Sequence, residues 1–127
     1  QEVLENATRI DPTAWSPRSH LAATYFQRTN YEDAIDSFKQ ALQLMNNTFD
    51  ADHYCVTAQT QQCARLVQAY STLGYAYRNL GQCAQGGLGA FRKALIVRPD
   101  DPTAHGGYNL CAIDLGTPVP RTPTPRP

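Results

Sequence analysis

The chain has 127 residues, and Lys+Arg and Asp+Glu are both 11, giving a formal net charge of zero. A nucleic-acid binder normally shows a basic excess, so this balance argues against one, and it removes any bulk attraction to an anionic membrane. The length suits one domain with an appendage, and no apolar run approaches the roughly 20 residues of a membrane span. The first residue is Gln1, not Met, which reads as a processed chain or a piece of a longer one.

In chain order, Gln1–Ile10 carries Leu4, Ala7 and Ile10 at helical spacing and stops at Asp11-Pro12. Leu21, Tyr25 and Phe26, then Ala34, Ile35, Phe38, Ala41 and Leu42, repeat the pattern on either side of the breaker Arg28-Thr29-Asn30. It returns in Leu73, Tyr77 and Leu80, then in Leu88, Phe91, Ala94 and Leu95, ahead of Arg98-Pro99-Asp100-Asp101-Pro102. Helices are predicted near 1–10, 14–28, 31–45, 58–80, 82–97 and 103–115, with a largely irregular stretch over about 46–57. Five of the nine prolines fall in the last ten residues, so the chain beyond Gly116 can be neither helix nor central strand and favours polyproline II.

An internal repeat organises the body. The first unit carries Leu21, Ala22, Tyr25, Tyr31, Ala34, Ile35, Phe38, Ala41 and Leu42, and the second Leu73, Gly74, Tyr77, Gly81, Gly87, Leu88, Phe91, Ala94 and Leu95. Pro12 stands five residues after Ala7, as Pro99 does after Ala94. This order resembles the tetratricopeptide repeat, with its Leu-Gly, Tyr, Gly, Ala, Phe, Ala and Pro signature. The resemblance implies an all-α, right-handed solenoid of antiparallel helix pairs with an irregular insertion and a Pro-rich extended tail. Its parts would be a half repeat 1–12, a repeat 13–45, an insertion about 46–62, a repeat 63–99, a half repeat 100–115 and the tail 116–127.

Leu21 to Leu73 and Tyr25 to Tyr77 both span 52 residues, whereas Phe38 to Phe91 and Ala41 to Ala94 span 53. Against a 34-residue period these spans place about 18 inserted residues before the second unit and one more between Cys83 and Gly87. Gly86, Gly87 and Gly89 in the second unit's back helix point to a close neighbour, with the helix bearing Gly106 and Gly107 as the candidate. A frayed helix start is the other reading.

Cys55, Cys63, Cys83 and Cys111 have no Cys-x-x-Cys spacing, which speaks against zinc even with His53 beside Cys55. An even count suits disulfides, and of three connectivities Cys55–Cys63 with Cys83–Cys111 is favoured. In a hairpin centred near residue 100, Cys111 faces about residues 86–88, so the second bridge is offset unless the extra residue after Cys83 relieves it. The alternative is four buried thiols in a cytoplasmic protein. The sequon Asn46-Asn47-Thr48, expected in an exposed turn, makes Asn46 a candidate glycan acceptor, and Thr117, Thr122 and Thr124 lie in mucin-like context. Asn6 has a sequon within a helix and is the poorer acceptor. These features together predict an extracellular or cell-surface protein.

Catalysis finds little support. His20, His53 and His105 are dispersed, no nucleophile motif occurs, and no cofactor or metal is expected. Asp50, Asp52 and His53 read as a polar loop, and Asp100-Asp101 as a helix connection with an N-cap. The resemblance implies a peptide groove lined by the first helix of each pair. Carried over, it comprises Ser16, Ser19, His20, Ala23, Phe26 and Gln27, then Gln68, Ser71, Thr72, Tyr75, Arg78 and Asn79. The Lys and Asn clamp of the chaperone-binding members is replaced by Ser19, Ala23 and Thr72. His20, Phe26, Gln27, Tyr75, Arg78 and Asn79 are the expected contact residues. Apolar positions at both ends, Leu4, Ala7 and Ile10 and then Tyr108, Leu110, Ile113 and Leu115, suggest a different partner. Other copies of the chain would stack head to tail into a filament. The alternative is a peptide-binding adaptor. Neither reading involves nucleic acid or membrane insertion.

Overall fold

The computed structural model describes residues 15–116; the expected helix over 1–10 with Leu4, Ala7 and Ile10, and the Thr/Pro tail with Thr117, Thr122 and Thr124, lie outside them. The described residues are helical, with no strand among them. The elements are α1 (Trp15–Gln27), α2 (Tyr31–Phe49), α3 (Ala51–Tyr54), α4 (Gln61–Asn79), a π-helical turn (Cys83–Gly87), α5 (Leu88–Val97) and α6 (Pro102–Asp114). α1 and α2 form one hairpin, α4 and α5 a second, and α6 packs on both helices of the second; α4 joins the hairpins by packing on α2.

Local chemistry sets the boundaries. The chain reverses between α1 and α2 at Thr29, whose φ is 61°, while the Asn30 amide donates to Tyr25 O at 2.9 Å. Glu32 and Asp33 then occupy the first turn of α2, where carboxylates complement the helix dipole. Thr60 caps α4 by accepting from the Cys63 amide at 3.1 Å. Asp101 caps α6 by accepting from Ala104 at 2.9 Å, with Pro102 in the first turn, where its missing N–H costs nothing.

The segment over 46–57 is not the irregular stretch its polar sequence suggests. α2 continues through Phe49 because Met45 is fully buried and Phe49 packs against Trp15 and Tyr54, with ring centroids 6.3 and 6.1 Å apart. Asp50, at φ 50°, ends α2 and starts the single turn α3. Asn46 therefore sits inside a helix and not in an exposed turn. Its side-chain amide donates to Leu42 O at 3.0 Å and its carbonyl accepts from the Asp52 amide at 2.7 Å. Beyond α3 the chain is held from afar. Arg98 donates to Cys55 O and to Ala58 O, both at 2.8 Å, and α4 begins at Gln61, three residues later than expected.

Cys55 and Cys63 are bridged with Cα atoms 5.3 Å apart, tying the inserted segment to the start of α4. Cys83 and Cys111 are bridged at 5.5 Å, inside the usual Cα range. The residue by which the second unit exceeds the first lies in the Cys83–Gly87 turn, whose wider π-helical winding absorbs it. Two of the nearby glycines answer to close neighbours. A Cβ on Gly87 would lie 2.9 Å from Cys111 Sγ, and one on Gly86 would enter the Tyr77 ring. Phe91, fully buried, is clasped between Gly74 and Gly107, at either of which a Cβ would collide with its ring.

Candidate functional site

Residues three or four apart on a helix share a face, so Ala64, Gln68 and Thr72 of α4 form one stripe. On one side of it a cleft of about 400 Å³ runs to α1, lined by Ser19, His20, Ala23 and Arg65 among others. On the other a cleft of about 600 Å³ runs to the start of α6, with Ser71, Asp101 and Thr103 in its lining. Both share that stripe, so together they make one continuous groove with a mixed polar and apolar lining. Ser71 is 3% exposed, and its hydroxyl is buried without a hydrogen-bond partner.

The six expected contact residues do not gather there. His20 lines the first cleft, where Arg65 Nη1 donates to its Nε2 at 3.0 Å. Phe26 stacks edge-on against Tyr31 with centroids 5.4 Å apart, so it closes the first hairpin. Tyr75 packs on Phe91 at 5.0 Å and donates its hydroxyl to Thr103 O at 3.2 Å. Arg78 pairs with Asp114, Nε to Oδ2 at 2.8 Å. These last two side chains tie α4 to α6. Gln27 and Asn79 are exposed at or beside helix ends, away from both clefts. Arg65 was absent from the expected set; its place three residues before Gln68 was the available signal.

Asp50, Asp52 and His53 also separate. Asp50 and His53 meet at 3.3 Å on the surface, whereas Asp52 accepts from the Tyr70 hydroxyl at 2.7 and 2.8 Å. Burial, reinforced by the hydrogen bond to Asp52 and by its charge, pushes the Tyr70 phenol well above its usual range. Among the described residues, no three His, Cys, Asp or Glu side chains gather closely enough to hold a metal ion. No described helix is long and apolar enough to cross a membrane.

α6 carries a second kind of surface. Leu110, Ile113 and Leu115 are 38%, 58% and 40% exposed. Tyr108 is half-buried beneath the Arg92 guanidinium, 5.8 Å from the ring centroid, and Ala112 faces the core.

Residues 18–54, covering most of α1 with α2 and α3, match the family model described as tetratricopeptide repeat. No curated protein matches the chain. Two hairpins followed by a further helix, each hairpin bearing the repeat's small-residue and aromatic positions, agree with that match. Residues 18–54 thus resemble a tetratricopeptide repeat, a helical module that generally mediates contacts between proteins.

Proposed function

We propose that the chain is a non-enzymatic structural subunit that assembles head to tail with copies of itself outside the cell. The observation that carries this reading is the apolar face of α6. Leu110 and Ile113, one turn apart, stand open to solvent on a helix whose other side is packed, and Leu115 is exposed at its C-cap. Such a face is complementary to a second-helix sequence. Gln1–Ile10 has that character, with Leu4, Ala7 and Ile10 in register and Pro12 placed as Pro99 is after α5. Joined across two copies, the segments complete one repeat, and a heterologous contact of this kind extends into a filament unless its rotation closes a ring. Two disulfides support an oxidising compartment.

Light scattering across a concentration series tests the reading. Large, concentration-dependent polymers are expected from the native chain, and Ile113→Asp and Leu4→Asp should each reduce them to monomers. A chain that stays monomeric at high concentration overturns the proposal.

The runner-up is a peptide-binding adaptor, favoured by the unpartnered Ser71 hydroxyl in the groove. It predicts that Gln68→Ala and Thr72→Ala abolish capture of a peptide while leaving the assembly state unchanged.

A further inference from the structure

On the face of α4 turned away from Gln68 and Thr72 lie Tyr70, Leu73 and Tyr77. They floor a third cleft, of about 360 Å³, walled by Lys39 and Leu42 of α2 and by Gly86, Gly89, Ala90 and Lys93 of the second back helix. Two independent features set this cleft apart.

The first is charge. The chain has nine arginines and only two lysines, Lys39 and Lys93, and they stand on opposite walls of this cleft. Lys93 Nζ lies 3.7 Å from Asp52 Oδ2 and 5.8 Å from the Tyr70 ring centroid. Asp52 is at the same time the acceptor for the Tyr70 hydroxyl. Lys93 is thus paired with Asp52, while the residues lining the cleft include two lysines and no carboxylate.

The second is Gly89. A glycine inside a helix is unfavourable relative to alanine, so it calls for a reason. Gly86 and Gly87 have theirs in the Tyr77 ring and Cys111 Sγ. Around Gly89 nothing lies within 4 Å of where a Cβ would stand. No contact within the described chain requires the missing side chain. Its absence lowers the cleft wall and bares the backbone to a group arriving from outside.

We infer that this cleft docks a segment of a partner protein in which a large apolar side chain is flanked by carboxylates. The apolar side chain would rest on Leu42, Leu73 and Tyr77 beside Gly89, and the carboxylates would meet Lys39 and Lys93. Neither the groove nor the exposed face of α6 takes part, so the inference stands independently of head-to-tail assembly.

The test is a titration of the isotope-labelled chain with the acetylated, amidated peptide Glu-Glu-Leu-Phe-Glu-Glu, followed by proton–nitrogen correlation spectra. Saturable shifts are expected at Lys39, Leu42, Gly89, Ala90 and Lys93. Gly89→Leu, which fills open space on a helix surface, and Lys39→Glu should each weaken binding by about tenfold or more, with circular dichroism unchanged. The same peptide with lysines for glutamates should leave the spectra unaltered. Shifts centred on Gln68 and Thr72, no saturable shifts, or undiminished binding by Gly89→Leu would overturn the proposal. Decanoate binding as tightly as the peptide would also overturn it, because an anionic amphiphile would then be the better occupant.

Discussion

The two hairpins share one signature but close on themselves differently. In the first, the small position is Ala22, and Phe38 reaches past it to border the groove cleft beside α4. In the second, the matching position is Gly74, and Phe91 is sealed between it and Gly107, with the Cys83–Cys111 bridge alongside. The first hairpin is built from sequence-local packing, and its back helix runs without interruption. The second gives up helical regularity, in a π-helical turn and several glycines, for a tighter junction with the helix that follows. A repeat signature therefore specifies which positions meet. How closely they meet is set by the smallest residue at each.

The largest effect that sharpens this contrast comes from the two phenylalanines. Phe91→Ala should cost about 3–5 kcal/mol in urea unfolding, because its enclosed site cannot collapse or admit solvent. Phe38→Ala should fall at the low end, about 3 kcal/mol, because its cavity opens onto the groove. The reverse order would break the comparison.

The bridges come next. They close loops with sequence separations of 28 and 8 residues. From chain entropy, removing Cys83–Cys111 by paired serine substitutions should cost about 3.6 kcal/mol, and removing Cys55–Cys63 about 2.6 kcal/mol. Equal losses in thermal unfolding would show that the second hairpin gains nothing special from its bridge.

The smallest effect concerns Tyr70, which binds the inserted segment to α4. Tyr70→Phe should lose about 1 kcal/mol near neutral pH. Burial and the Asp52 contact raise the phenol above its ordinary value of 10.0 in the folded state. Its contribution is therefore fully present below about pH 10 and is lost as the pH rises towards the folded value. The native chain should thus weaken on alkaline titration more steeply than Tyr70→Phe. Parallel curves would detach Tyr70 from that role.

Much of the helical order was legible because its causes are local. Ala34, Ile35, Phe38, Ala41 and Leu42 report a buried helical face by spacing alone, and Asp101-Pro102 announces a helix start. The inserted segment was not legible, since its polar residues find their partners far along the chain. Asp52 is answered by Tyr70, and the carbonyls of Cys55 and Ala58 by Arg98. Repeat arithmetic located the extra residue near Cys83 but could not reveal that it would be taken up by a change of winding. Of the expected groove contacts, His20 lines the cleft between α1 and α4. Arg78 instead pairs with Asp114, which lies 36 residues away and carries no local mark of that role.

The Cys83–Cys111 bridge has a mechanical consequence. A chain pulled from either side of residues 83–111 transmits the load through the sulfur link, bypassing α5 and most of α6. Some 28 residues never enter the load path. At full extension they would have supplied roughly 90 Å of slack. Under tension this part of the molecule behaves as a short, stiff link, and what can stretch is the hairpin before it.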